Sequence, residues 1–120
     1  MDLQAINSNY KNFLEEIGSY YSVVDDQEVQ ILRKKQDDCY QNFLDVHYEY
    51  TKCISQIDDK YSSLNKTFKF KTEKAAKSYK SCLQNKKVED CHERTWKHLH
   101  ENMKQYISLL RRIDTQTIKY

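Results

Sequence analysis

The chain has 120 residues, with 38% hydrophobic and 32% charged side chains, ten tyrosines, one glycine and no proline. That length fits a single domain, and that composition disfavours a thick globular core in favour of elongated helices with narrow apolar stripes. Net charge is only +2 but uneven: residues 1–65 carry six basic and twelve acidic side chains, whereas residues 66–87 carry eight lysines against Glu73 alone.

The opening MDLQAINSNY has neither a basic nor an apolar targeting region, so no cleaved signal peptide or presequence is expected. No apolar run approaches the length of a membrane span. The first predicted helix covers Leu3–Val24, where Leu3, Ile6, Tyr10, Phe13, Ile17, Tyr20 and Val24 recur at spacings of three and four. Gly18 weakens it, and Asp25 three before Glu28 reads as the capping box of a second helix. That second helix, residues 26–64, is the longest expected element. Leu32, Gln36, Cys39, Phe43, Val46, Tyr50, Cys53, Ile57, Tyr61 and Leu64 form its stripe. Asn65–Lys71 breaks the pattern and is expected to turn the chain. Return helices then fill residues 72–113, with a break at Gln84–Lys87 and a second capping-box pattern at Asp90 and Glu93. Ala75, Tyr79 and Cys82 precede the break; Trp96, Leu99, Met103, Tyr106, Leu110 and Ile113 follow it. The tail, residues 114–120, is expected to be frayed or held by a partner. The fold class is all-α: a single domain, built as an antiparallel helical hairpin or bundle with one long helix.

Four cysteines, Cys39, Cys53, Cys82 and Cys91, fall in or beside these stripes. Two readings follow. In one they are small buried thiols of a reducing compartment. In the other they staple a hairpin, Cys53 with Cys82 as inner bridge and Cys39 with Cys91 as outer bridge. Hairpin pairing needs a non-helical link near Gln84–Glu89. A continuous helix would set Cys82 and Cys91 about 13 Å apart, against about 21 Å for Cys39 and Cys53.

The second half carries a family likeness. Ser81-Cys82-Leu83-Gln84, then Val88-Glu89-Asp90-Cys91-His92-Glu93-Arg94, then a charged helix ending Leu109-Leu110-Arg111-Arg112, resembles the coiled-coil-helix–coiled-coil-helix proteins of the mitochondrial intermembrane space, which include accessory subunits of respiratory complex I. Thirteen residues separate Cys39 from Cys53 and eight separate Cys82 from Cys91, on either side of the family's usual spacing. The resemblance implies oxidative import and folding, and a structural role for the four cysteines. It implies a non-catalytic accessory or assembly subunit of an inner-membrane complex, with other protein subunits as partners. A cytosolic or cytoskeletal coiled-coil adaptor with free thiols is the alternative.

No metal, cofactor or catalytic constellation is expected. Cys82, Cys91, His92, His98 and His100 lack the tight knuckle of structural zinc. The adjacent pairs Asp37/Asp38 and Asp58/Asp59 diverge on a helix. The lysine run is the candidate interaction surface: Lys69, Lys71, Lys74, Lys77 and Lys80, interleaved with Phe68, Phe70 and Tyr79. Without arginine it suits an acidic protein or anionic lipid better than base-specific nucleic acid.

Overall fold

A computed structural model describes residues 2–115. Three helices follow one another: α1, Leu3–Asn42; α2, His47–Cys82; and α3, Val88–Arg111. The bundle measures 64 × 22 × 17 Å, close to the length of α1 alone at about 1.5 Å per residue. Contacts fix the directions. Phe13 stacks on Tyr79, Tyr21 meets Phe68, and Cys39 is bonded to Cys53, so α1 and α2 are antiparallel. Cys82 joins Cys91 and Lys71 meets Gln105, so α3 returns along α2. The all-α bundle matches the expected class.

The helix boundaries differ from the expected ones. The chain does not turn at Asp25. Gly18 sits in mid-helix with open space around it, and a single exposed glycine costs only about 1 kcal/mol relative to alanine. Glu28 is not free to cap a helix start, because it is turned inward and held by other helices. The expected turn at Asn65–Lys71 is also helical. Leu64, Phe68, Thr72, Ala76 and Tyr79 continue the buried face, with a threonine standing at one core position. The real corners are 43–46 and 83–87, and only the second coincides with an expected break. Val46, expected in the core, is 45% exposed because it caps the first corner.

The cysteine pairing is a second correction. The bonds are Cys39–Cys53 and Cys82–Cys91, each with Cα atoms 5.8 Å apart. The hairpin pairing, Cys53 with Cys82 and Cys39 with Cys91, is ruled out by the corners. Both turns fall inside a cysteine pair, so each bridge closes a corner. Cys53 and Cys82 lie instead on one helix, 29 residues and about 43 Å apart. Short rings of this size restrict the unfolded chain by about 3 kcal/mol each in the loop-entropy account.

Each corner anchors one half of the core. Cys39 and Cys53 pack with Val24, Ile57, Phe68, Tyr106 and Leu110. Cys91 packs with Phe13, Ile17, Tyr79, Leu83 and Leu99. Between them Glu28, only 8% exposed, ties the three helices together. Its carboxylate accepts from Tyr61 of α2, from Tyr106 of α3 at 2.7 Å and from Asn65 of α2 at 3.4 Å. The Asn65 amide also donates to the Tyr106 oxygen at 3.1 Å. Every neighbour presents a donor, as a buried carboxylate requires. Burial first, and the Glu28 carboxylate second, push the Tyr61 phenol up to about 12. Burial also raises Tyr106, with Glu28 adding to the shift and the Asn65 hydrogen bond opposing it.

The chain beyond α3 folds over the first bridge. Ile113 and Thr115 are buried, and the Thr115 carbonyl lies 3.4 Å from Cys53 Sγ and accepts from the Asn42 amide at 3.5 Å. The sulfur contact is not a hydrogen bond, since a bridged sulfur carries no proton. The rest of the expected frayed tail, 116–120, lies outside the described residues.

Two predictions follow from this packing. Tyr106→Phe removes one donor from a buried carboxylate and should cost about 1–3 kcal/mol in denaturant unfolding. An unfolded tyrosine ionises near its ordinary value of 10, whereas native Tyr61 and Tyr106 keep their protons to higher pH. The native state thus binds more protons there, so stability should fall as pH rises above about 10. The fall should be shallower in Tyr106→Phe; an equally steep fall in the variant would contradict the account. The second prediction concerns reduction. Cys39 and Cys53 are 0% and 2% exposed, while Cys82 is half-buried at a groove. Under limiting reductant with an alkylating trap, label should enter Cys82 and Cys91 before Cys39 and Cys53.

Candidate anion-binding surface

The lysine run occupies the second half of α2. Phe68, Thr72, Ala76 and Tyr79 take the inward positions at spacings of four, four and three, which leaves Lys69, Lys71, Lys74, Lys77 and Lys80 spread over the remaining circumference. All five are exposed. They do not form one stripe. Lys80 lies over the Tyr10 ring of α1, 5.2 Å from its centroid. Lys71 reaches the other way and donates to Gln105 of α3 at 3.2 Å. Lys69 and Lys77 face solvent beside Phe70, which is 66% exposed.

On the α3 side the surface is concave. A groove of about 530 Å³ runs between α2 and α3 to the 83–87 corner. Lys71 and Lys74 lie on one wall, Arg94 and His98 on the other, and Lys86 at the corner end. Ala75 and Cys82 form part of its floor, and no carboxylate lines it. Arg94 and Lys86 were not among the sequence candidates. They sit 20 and 12 residues beyond Lys74, and only the corner at 83–87 brings them to its side. A tally of charge by segment separates Lys86 and Arg94, although both are visible in the sequence.

The far corner presents a different surface. Tyr40, Leu44, Val46 and Tyr48 are between 45% and 70% exposed around residues 43–46. Leu44 and Tyr48 fell outside the sequence stripes, which was the available signal. Clustered exposed apolar residues of this kind commonly mark protein contacts.

Beside the second bridge, Glu16, His92 and Trp96 share one set of contacts. His92 Nε2 lies 2.8 Å from Glu16 Oε2 and 2.8 Å from Trp96 Nε1, and Trp96 Nε1 lies 3.3 Å from the same carboxylate oxygen. These contacts are not all hydrogen bonds at once. Neutral His92 with its proton on Nδ1 accepts from the indole. Protonated His92 donates to Glu16, and the indole then donates to Glu16 instead. Among the described residues, no group of three His, Cys, Asp or Glu side chains is arranged to hold a metal ion, and no helix is long and apolar enough to cross a membrane.

Trp96 is the sole tryptophan and therefore reports this exchange directly. Its emission should change in His92→Gln, which alters the contacts of His92 with both Glu16 and the indole. It should change far less in His100→Gln, whose ring centroid is 6.0 Å from that of the indole. Equal changes in the two variants would contradict the direct contact between His92 and the indole.

No family model matches the chain, and neither a curated protein nor a solved structure matches it.

Proposed function

We propose that this chain is a non-catalytic structural subunit, accessory to or assembling an inner-membrane complex of the respiratory-chain type, on the intermembrane-space side of mitochondria. The observation that carries the reading is that all four cysteines stand in two bridges, one at each corner of a thin bundle. Structural disulfides belong to compartments where thiols are oxidised. The bridges favour this reading over a cytosolic or cytoskeletal adaptor with free thiols. The sequence likeness around Cys82–Arg94 and Leu109–Arg112 supplies the mitochondrial part of the proposal. The corner-closing connectivity supports oxidative folding without supporting a two-helix stapled hairpin.

An elongated body with an apolar corner at one end and a basic surface at the other suits a protein that bridges neighbours. The partner face for the lysines is an acidic protein surface, reached by contacts that weaken as salt rises. Lys69, Lys77 and Lys80 are the residues to test, because none of them lines the groove. Reversing the three to glutamate should weaken association with the native assembly by about tenfold or more, with helicity unchanged. Retention of the reversed protein in the assembly at physiological salt would remove the lysines from the interface. Protease protection in fractionated cells tests the compartment. Protein found in the cytosol with four reactive thiols would restore the adaptor reading.

A further inference from the structure

We infer that the groove between α2 and α3 is a binding site for a phosphate-bearing ligand with an apolar portion. The inference stands apart from the proposed role in an assembly, since it uses only the geometry of this groove. Three separate pieces of chain bring cations to it: Lys71 and Lys74 from α2, Lys86 from the corner, and Arg94 from α3. Like charges so gathered repel one another, and no carboxylate in the lining offsets them. None of the four takes part in an ion pair among the described residues. A concave surface lined by one sign of charge concentrates counter-ions and strengthens their binding. Arginine adds a planar fork that suits two phosphate oxygens, and lysines add point charges.

The neutral lining narrows the ligand further. Ser78 and Ser81 offer exposed hydroxyls along one wall, while half-buried Ala75 and Cys82 give an apolar floor. At about 530 Å³ the groove falls in the size range of small-molecule sites, and it is larger than a bare inorganic ion needs. The fitting chemistry is a phosphate ester whose oxygens meet the cations and whose apolar part lies on the floor. A phospholipid headgroup and a free phosphate ester share that chemistry. The second bridge belongs to the site, because Cys82 lines the groove and its bond to Cys91 holds α3 and Lys86 against α2.

The test uses the oxidised full-length chain and two probes. Octyl phosphate is titrated in solution by calorimetry. Vesicles of phosphatidylcholine, with and without about a fifth phosphatidylglycerol, are tested by co-sedimentation. Binding should be saturable, with one octyl phosphate per chain or with selectivity for the anionic vesicles. The double variant Lys86→Gln, Arg94→Gln should weaken it about 10–100-fold, the loss expected for two charge-assisted contacts. Lys69→Gln, Lys77→Gln removes the same charge outside the groove and should change binding less than about twofold. Solution binding identifies a free phosphate ester as ligand; binding to anionic vesicles alone identifies a lipid headgroup. Absence of binding to both probes overturns the inference. An equal loss in the two double variants does so as well, because it reports diffuse charge attraction rather than a site.

Discussion

The bonds at the two corners are the constraint on which the rest of this structure depends. Cys39–Cys53 closes the corner at 43–46, and Cys82–Cys91 closes the corner at 83–87. Between them three long helices must meet in one register, with only 38% of the side chains hydrophobic. Fixing both ends of α2 leaves little freedom for α1 and α3 to slide along it. A slip by one turn would carry Glu28 away from Tyr61, Asn65 and Tyr106, and leave a carboxylate buried without donors. That outcome is costly, so the carboxylate opposes misregistration as the bridges do. Stacking of Phe68 on Tyr106, with ring centroids 4.5 Å apart, completes the same layer.

The fold class was legible in the sequence because nothing in it opposes helix. Without proline, the stripes of three and four spacing suffice to show a helical bundle. The stripe of α3 is partly legible: Leu99, Tyr106 and Leu110 are buried as their spacing implies, Trp96 and Met103 are half-buried, and Thr95 and Ile107 are buried beside it. The boundaries were less legible, for identifiable reasons. Asp25 and Glu28 carry the spacing of a capping box, yet Glu28 serves three donors from distant segments. Asn65 looks like the start of a pattern break, yet it is half-buried with its amide donating to Glu28 and Tyr106. Thr72, where the return helix was expected to begin, fills a core position with its hydroxyl bonded to the Phe68 carbonyl. A polar residue inside a stripe reads as an interruption until its partners are known. The corner at Phe43–Val46 contains neither glycine nor proline, so local chemistry did not announce it.

The position of that corner also decides how the cysteines pair. With residues 26–64 taken as one helix, Cys39 and Cys53 lie on the same face of it and look outward for partners elsewhere. With the corner in place they face each other. The lysine surface was partly legible for a related reason. Its five residues are local, and their exposure follows from the inward positions of Phe68, Thr72, Ala76 and Tyr79. The groove beside them was not legible, because its opposite wall comes from α3 and its end from Lys86 in the corner. The bridges thus shape both the core and the surface: one is sealed by Ile113 and Thr115, and the other borders the groove.

The central claim is that the bridges close corners, and tryptic mapping without reduction tests it most directly. Protein from its native cells is blocked with an alkylating reagent at lysis and cleaved after lysine and arginine. Cleavage at Lys52 separates Cys39 from Cys53, and cleavage at Lys86 and Lys87 separates Cys82 from Cys91. The account predicts two linked pairs, peptide 36–52 with 53–60 and peptide 81–86 with 88–94. Peptide 36–52 linked to 88–94, with 53–60 linked to 81–86, or four alkylated free thiols, would contradict it.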